Sequence, residues 1–254
     1  MSVKAHSIDV SEEAGVRYLH FGSSWIQGAM RIARPWSLEL AYTREMMAAL
    51  LFHHEPAWPA KVLIVGMGAA SLPKFIYRNL PQSHMTIVEI QPGVVAAARQ
   101  FFKLPDDPAR LAVVIGDGAD FVVEDSERYD LILSDGFGPD ARPGRLDSAD
   151  FYAACRERLA DNGLFVCNLL GRSRGFQASI GRIREAFHRR AIVFPSGDSG
   201  NAVAFAAVGD RIELTPDEAR ERARWLKTTM GLDLLSTVSR LQLAVPAAGG
   251  CWAL

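Results

Sequence analysis

Hydrophobic and polar positions divide the chain into two parts with different patterns. Between residues 8 and 34, short runs of alternating apolar and polar positions are separated by glycines. This period-two alternation predicts two or three antiparallel strands. Residues 40–52 follow a helical period instead, and a proline-containing turn ends that segment. Residues 1–58 are therefore predicted to form a small N-terminal β unit followed by a helix.

From residue 61 onward the pattern changes to strands that alternate with helices. The apolar run VLIV at residues 62–65 ends in glycine, as expected of a strand buried on both faces. Further strands are predicted at 85–90, 112–115, 129–135, 163–168, 191–194 and 202–208, and helices at 72–80, 93–102, 149–159, 176–188 and 216–243, with Thr215 as a helix N-cap. Since strand–helix–strand connections are right-handed crossovers, residues 59–254 are predicted to form an α/β domain with a Rossmann-like, mainly parallel sheet.

Composition and charge exclude several classes of function. Apolar residues make up 49% of the chain and charged residues 22%, which is typical of a globular protein. A formal net charge of −1 argues against nucleic acid or an anionic membrane as the partner, because both favour a basic surplus. No apolar run is long enough for a transmembrane helix, and the first residues lack the apolar core of a secretory signal. We therefore expect a cytoplasmic protein that acts on a small molecule.

The cysteines and histidines give no sign of a disulfide framework or of a metal site. The three cysteines, at 155, 167 and 251, are far apart and form no C-x-x-C pair. The six histidines show no metal-ligand spacing. Buried thiols in a reducing compartment are the expectation, and no metal is needed to explain the sequence.

Glycine and acidic residues stand where the first three strands of the α/β part end, which is where open sheets of this kind bind ligands. Gly66 and Gly68 lie in the turn GMGAAS after the first strand, where the missing Cβ lets the backbone approach a ligand. Glu89 ends the second strand, about 20 residues later, the spacing at which an acid accepts both ribose hydroxyls. Asp117, followed by Gly118, ends the third strand and can accept the amino group of adenine.

Two kinds of adenosine ligand fit this order of features. A dinucleotide would place its pyrophosphate at the start of the helix after the glycine turn, but Pro73 removes a backbone N–H there. An adenosine that lies across three strand ends uses Asp117 as well. The sequence therefore favours an S-adenosyl sulfonium compound over NAD.

These features belong to an ordered set of motifs that resembles the spermidine synthase family of aminopropyltransferases. The motifs are VLIVGMGAASLPK, TIVEIQPGVVAAARQFF, VVIGDGADFV, YDLILSDGFGPD, SADFYAACRERLADNGLFV and FPSGDSGNAVAF, preceded by AYTREMMAALLF. The resemblance spans about residues 61–208. It implies a methyltransferase-like fold with a small N-terminal β domain, often a homodimer, and S-adenosylmethionine or its decarboxylated form as the co-substrate. It also implies that Glu89 binds the ribose, that Asp117 binds the adenine and that Asp135 is the catalytic base.

A carboxylate at Asp135 suits the chemistry of such a transfer. A free primary amine has a pKa near ~10, so it arrives protonated at neutral pH and is not nucleophilic. A carboxylate in a partly desolvated pocket can orient the amine and accept its proton during in-line attack on the carbon next to the sulfonium.

The chain departs from the family pattern at positions that bind cations. Ala69 stands where the family has an aspartate for the ammonium of the decarboxylated donor, and Gly138 stands where it has a second aspartate for the diamine. Thr43 and Arg44 replace a Tyr-Gln pair that touches the polyamine. Because a cation taken out of water without a partner costs several kcal/mol, these changes argue against putrescine as the acceptor.

Neighbouring residues are candidates to replace the missing contacts. Tyr42 precedes the altered pair, and Asp140, Asp147 and Asp150 are acids in or near the loop that follows Asp135. Of these, Tyr42 and Asp140 are the predicted substrate-binding residues.

Three hypotheses follow from the sequence. The first is a spermidine synthase-like transferase with changed substrates, which moves an aminopropyl or methyl group from either donor. The alternative is an authentic spermidine synthase in which other carboxylates compensate. A third, of another class, is a non-catalytic nucleoside-binding protein, and a base at Asp135 argues against it.

Overall fold

The computed structural model describes residues 7–23, 25–53, 55–138, 142–197, 200–245 and 247–254. The strands are β1 (Ile8–Glu13), β2 (Val16–Phe21), β3 (Gly28–Arg31), β4 (Lys61–Val65), β5 (His84–Glu89), β6 (Leu111–Ile115), β7 (Tyr129–Ser134), β8 (Leu159–Leu170), β9 (Ala191–Pro195), β10 (Asn201–Ala207), β11 (Glu213–Leu214) and β12 (Trp252–Ala253). The helices are α1 (Ala41–Met46), α2 (Ser71–Asn79), α3 (Pro92–Phe101), α4 (Gly118–Glu124), α5 (Ala149–Arg158), α6 (Phe176–Ala186), α7 (Pro216–Met230) and α8 (Leu235–Ala244). Short 3-10 turns lie at Met47–Leu51, Gly144–Asp147 and Ala248–Gly250.

The central sheet confirms the predicted α/β class. Its strand order is β6-β5-β4-β7-β8-β10-β9. The first five of these strands pair in parallel, and β10 runs antiparallel to both β8 and β9. The chain order reverses at β4, which lies between β5 and β7. Ligands of open α/β sheets bind at the carboxyl ends of the strands beside such a reversal.

The N-terminal strands form a separate antiparallel sheet in the order β1-β2-β3, which confirms the predicted β unit. The turn between β1 and β2 holds Ala14 and Gly15 at φ values of 49° and 75°, as a tight two-residue hairpin requires. The third apolar run of this part covers residues 25–30, whereas the strand itself, β3, begins only at Gly28.

Helices cover both faces of the central sheet, so its middle strands are buried on both sides. One apolar core joins the N-terminal sheet, α2, α3 and the C-terminal helices to one face of the sheet. A second core packs α4, α5 and α6 against the other face. Residues 62–65 of β4 are all buried, which explains the continuous apolar run in the sequence.

The structure differs from the predicted elements in the short and C-terminal segments. Helix α4 has only seven residues and was not predicted. The helical tail predicted as one segment is two helices, because Gly231 adopts a left-handed conformation at φ 68° and ends α7. Thr215 does cap α7, within a capping box formed with Glu218. The helix predicted at 40–52 is α1 followed by a 3-10 turn.

Two further findings concern the described residues only. None of their helices is both long and apolar enough to cross a membrane. No cluster of three or more His, Cys, Asp or Glu among them is placed to hold a metal ion.

Candidate active site

A cavity of about 290 Å³ opens at the carboxyl ends of β4, β5, β6 and β7. The structure brings together in its lining the predicted residues Gly66, Gly68, Glu89, Asp117, Gly118 and Asp135. Parallel strands place their carboxyl ends at one edge of the sheet, and this is why residues far apart in the sequence meet here.

The glycine turn after β4 leaves no room for a side chain at Gly66 and little room at Gly68. Gly66 has φ 92°, and a Cβ there would lie 2.4 Å from the carbonyl oxygen of Asp135. Gly68 has φ 51°, and its Cβ would lie 3.0 Å from the carbonyl oxygen of Gln27. The turn is therefore packed between the end of β7 and the N-terminal sheet. At Gly66 the positive φ and the close contact together require glycine.

The N-terminal sheet also packs on the position where the family has an aspartate. Ala69 is buried, and a Cβ added to Gly28 would lie 2.6 Å from the Cβ of Ala69. The small side chain at Ala69 and the glycine at the start of β3 thus fit each other.

Glu89 is bonded to the backbone on both of its carboxylate oxygens. Oε2 accepts a hydrogen bond from the N–H of Met67 at 2.9 Å, and Oε1 accepts one from Gln91 at 2.9 Å. Burial raises the pKa of the Glu89 carboxyl, and these backbone N–H groups act in the opposite direction. Glu89 therefore holds the glycine turn in place while it lines the cavity.

Asp117 caps α4 and is covered by a neighbouring loop. Its Oδ1 accepts from the N–H of Ala119 at 2.8 Å, and its Oδ2 accepts from Arg145 at 2.9 Å. Arg145 also donates to Asp120 at 2.9 Å. The next residue, Leu146, lies above Gly118 and Gly136, whose added Cβ atoms would come within 3.5 and 2.4 Å of its side chain. Arg145 and Leu146 thus cover one side of the cavity.

Asp135 lies in an environment that makes it a weaker acid than an ordinary aspartate. The amide nitrogen of Asn168 donates to its Oδ1 at 2.8 Å, and the hydroxyl of Tyr42 hydrogen-bonds to its carboxylate. Burial raises the pKa of Asp135 to about 6, although both hydrogen bonds lower it. The side-chain amide nitrogen of Asn201 donates to Oδ1 of Asn168 at 2.8 Å, which leaves the amide nitrogen of Asn168 directed toward Asp135.

Asp135 also lines a second, much smaller pocket that adjoins the first. Gln27, Tyr42, Thr43 and Ala69 line this pocket as well, and its volume is about 10 Å³. That is about the room that one water molecule needs. The carboxylate of Asp135 thus stands between a cavity large enough for a ligand and a narrow space beside Tyr42.

The remaining positions that the sequence singled out for the substrate differ in their surroundings. Arg44 donates to the backbone oxygens of Leu38 and Glu39 at 2.9 and 2.7 Å and does not line the small pocket. Its positive charge is therefore directed away from the space next to Asp135. Gly138 lines the large cavity, whereas Asp140 lies outside the described residues.

Several residues that line the cavity or contact its acids were not predicted from the sequence, among them Asn168, Gln27 and Arg145. Asn168 carried a usable signal, because it lies in the predicted fifth strand near its carboxyl end, where the other polar site residues were found. Gln27 and Arg145 carried none, since the contacts of the N-terminal sheet and of the covering loop with the cavity depend on tertiary packing.

Comparison with known proteins places the chain in a family. The family model for "Spermine/spermidine synthase domain" matches residues 39–170. A polyamine aminopropyltransferase of Chromobacterium violaceum is 36% identical over 236 residues, covering 92% of this chain and 89% of the relative. One from Neisseria meningitidis serogroup B is 32% identical over 242 residues, covering 95% and 91%. The fold and these matches define a transferase. The chain belongs to the spermine/spermidine synthase family, as the sequence motifs predicted.

Solved structures agree with the predicted fold. Human methyltransferase-like protein 13 in complex with SAH has a TM-score of 0.68 at 25% identity, covering 75% of this chain and 92% of that one. A spermidine synthase in complex with the transition state analogue AdoDATO has a TM-score of 0.64 at 22% identity, covering 89% of each chain. The methyltransferase-like fold is thus confirmed.

Proposed function

We propose that this chain transfers an alkyl group from an S-adenosyl sulfonium donor to a primary amine, with Asp135 as the base. The position of Asp135 carries the proposal. Its carboxylate lines both the large cavity and the narrow space beside Tyr42. The narrow space has room for an amino group, which is about the size of a water molecule, so Asp135 can contact the reacting nitrogen there while a donor occupies the large cavity.

The step is a single displacement. The nitrogen lone pair attacks a carbon bonded to the sulfonium, the C–S bond breaks, and its electron pair leaves with a neutral thioether. The proton of the amine passes to Asp135. A pKa near 6 brings the carboxylate closer to the pKa of an amine, so the transfer of the proton costs less free energy than it would with an ordinary aspartate.

The acids that line the cavity support a donor of this kind. In this proposal Glu89 binds the ribose and Asp117 binds the adenine. Both oxygens of Asp117 already accept one hydrogen bond each, yet a carboxylate has about four lone-pair sites and can accept an adenine amino group too. The SAH complex of the human structural neighbour supports a ligand of this kind.

Aminopropyl transfer from the decarboxylated donor to a small amine is the activity that the relatives support. These relatives are named polyamine aminopropyltransferases and match more than nine tenths of this chain. They favour the alternative hypothesis, an authentic spermidine synthase. Ala69 and Gly138 remain departures, because each replaces an acid that would contact a cationic substrate.

Methyl transfer from S-adenosylmethionine is the second candidate, and Ala69 is the observation that favours it. A neutral, buried side chain at that position neither holds the ammonium of the decarboxylated donor nor repels the carboxylate of the ordinary one. A bovine eEF1A lysine and N-terminal methyltransferase is 29% identical over 183 residues, which cover 68% of this chain and 26% of that protein.

Two measurements test the proposal. Calorimetric titration with S-adenosylmethionine, its decarboxylated form and 5′-methylthioadenosine identifies the donor. Mass spectrometry after incubation with each donor and a panel of primary amines identifies the group transferred. An aminopropylated product supports the first candidate, and a methylated one supports the second. Binding without any product indicates a nucleoside-binding protein, whereas no binding of the three compounds contradicts the nucleoside site itself.

A further inference from the structure

A second cavity, of about 550 Å³, lies outside the candidate active site. It is bordered by the turn after β3, by α1 and α2, and by the end of α7. We call it the arginine pocket, after Arg34, Arg44 and Arg78 in its lining. Trp36 also lines it, and no described acidic residue does.

None of the three arginines forms an ion pair with a carboxylate in the described part of the chain, although Arg44 is near enough to Asp233 to help lower its pKa. Arg44 donates to two backbone oxygens, and Arg78 lies over the ring of Trp36 at 5.9 Å from its centre. Arg34 is exposed. The acids next to the lining in sequence are already engaged, since Glu39 pairs with Arg31 and Asp233 pairs with Lys227.

The negative C-terminal ends of two helices offset only part of this positive charge. Arg78 lies in the last turn of α2, and the end of α7 borders the same cavity. The C-terminus of a helix carries about −0.5 of an elementary charge. Two such ends offset about one of the three arginine charges, so a surplus of about two positive charges remains. Unlike arginines on a flat surface, these charges converge on one concave space.

We propose that the arginine pocket binds a small molecule that carries a diphosphate group. Guanidinium groups match phosphate oxygens with paired N–H donors, and two phosphates balance the surplus charge. The volume lies within the range of about 300–1,000 Å³ of small-molecule sites and exceeds what a single phosphate needs. Trp36 adds an aromatic face at the wall of the pocket.

The diphosphate can belong to inorganic pyrophosphate or to a nucleotide, and the test separates these sources. The full chain is titrated calorimetrically with pyrophosphate and with uridine diphosphate, at an ionic strength of about 0.15 M. Uridine is used because the candidate active site is built for adenosine. Saturable binding of at least one is expected. Tighter binding of uridine diphosphate indicates a nucleotide, and equal affinities indicate that the diphosphate alone is recognised.

Variants assign the binding to this pocket. We expect Arg34→Gln and Arg78→Gln each to weaken binding about tenfold, as the loss of a charged hydrogen-bond donor does. Arg99→Gln, on the exposed surface of α3, is the matched control and leaves the affinity unchanged. Thermal unfolding verifies that every variant is folded.

Three results would overturn the proposal. One is the absence of saturable binding for both compounds. Another is an unchanged affinity in both pocket variants, which would place the ligand elsewhere. The third is citrate binding as tightly as pyrophosphate, which would mean that the pocket attracts anions without recognising phosphate.

Discussion

Asp135 is subject to two opposed influences, and their balance sets its chemistry. Burial disfavours the charged carboxylate, while Asn168 and Tyr42 stabilise it by hydrogen bonding. The outcome is a pKa of about 6, at which the group is mostly ionised near neutral pH and still able to hold a proton. This combination suits a base that must accept a proton and later release it.

We predict that Asp135→Asn abolishes turnover and retains donor binding. An amide has nearly the shape of the carboxylate but cannot accept the proton of the amine, and general bases contribute about 10²–10⁴-fold to rate. Turnover with the donor and amine identified above is compared with calorimetric affinity for the donor. Turnover at the unmodified rate would show that Asp135 is not the base.

We predict that Tyr42→Phe moves the acid limb of the pH profile of kcat/KM to higher pH. The hydroxyl of Tyr42 lowers the pKa of Asp135, so its removal raises that pKa above about 6. Activity, which needs the ionised carboxylate, is then lost at a higher pH as the solution is acidified. A profile with an unshifted limb and merely reduced activity would assign Tyr42 to packing alone.

At the scale of elements, the turn between β4 and α2 connects the fold to the site. Gly66 is pressed against the end of β7, so the turn and Asp135 fix each other's positions. The N-terminal sheet adds Gln27 and Gly28 from the other side. Movement of the turn would therefore disturb the donor cavity and the base together.

We predict that Gly66→Ala destabilises the protein and weakens donor binding. The added methyl group would meet the backbone of Asp135 at 2.4 Å, and φ 92° is unfavourable for alanine. A loss of about 1–3 kcal/mol in the free energy of unfolding is expected from strain of this kind. Urea unfolding measures the stability, and calorimetry measures the donor affinity.

Gly116→Ala is the matched control for that variant. Gly116 lies at the same edge of the sheet, just before Asp117, and an added Cβ would have nothing within 4 Å. Its variant should keep both stability and donor affinity. Equal losses in the two variants would mean that crowding against Asp135 is not the cause.

The elements that the sequence predicted well are those whose burial is uniform. Strand β4 is buried on both faces, and its run of apolar residues therefore predicted both that it is a strand and that it lies inside the sheet. Helix α4 was not predicted because it has only seven residues and starts directly at the site motif. Asp117 is both its N-cap and a residue of the cavity lining. The break at Gly231 depends on one left-handed residue, which a helical period does not reveal.

The strand ends that meet at the cavity could be predicted from the sequence, but the loop that covers the cavity could not. Strand order placed Glu89 and Asp117 at the site, the family resemblance added Asp135, and all three acids line one cavity. The contacts of Arg145 and Leu146 with the cavity depend on how a loop folds back over it. Such contacts between distant segments leave no periodic pattern in the sequence.

At the scale of the whole molecule, two apolar cores enclose the sheet, and one buried group does not fit this environment. Lys74 of α2 is only 1% exposed. Burial, with a smaller effect of the nearby Lys103, lowers its pKa from 10.5 to about 7.

The homodimer that the family resemblance implies stays a prediction, which light scattering would check.

We predict that Lys74 makes the protein less stable as the pH falls from about 10 toward about 7. In this window the unfolded chain holds a proton on Lys74 that the folded chain has released, so the free energy of unfolding rises with pH. Below about pH 7 both states are protonated, and the full cost of a buried charge remains. At about 1.4 kcal/mol for each unit of pKa, that cost is up to about 5 kcal/mol.

Lys74→Met removes the titrating group and keeps an unbranched side chain of similar length. We expect it to raise the free energy of unfolding most at about pH 6, and by about 2–3 kcal/mol less at about pH 9. Lys61→Met is the control, because Lys61 is exposed and its pKa is raised above 10.5, so it titrates outside this window. Urea unfolding of the three proteins at both pH values measures the difference. If Lys74→Met gives the same stability change at both, Lys74 must stay charged inside the fold, which would require a partner for its ammonium group.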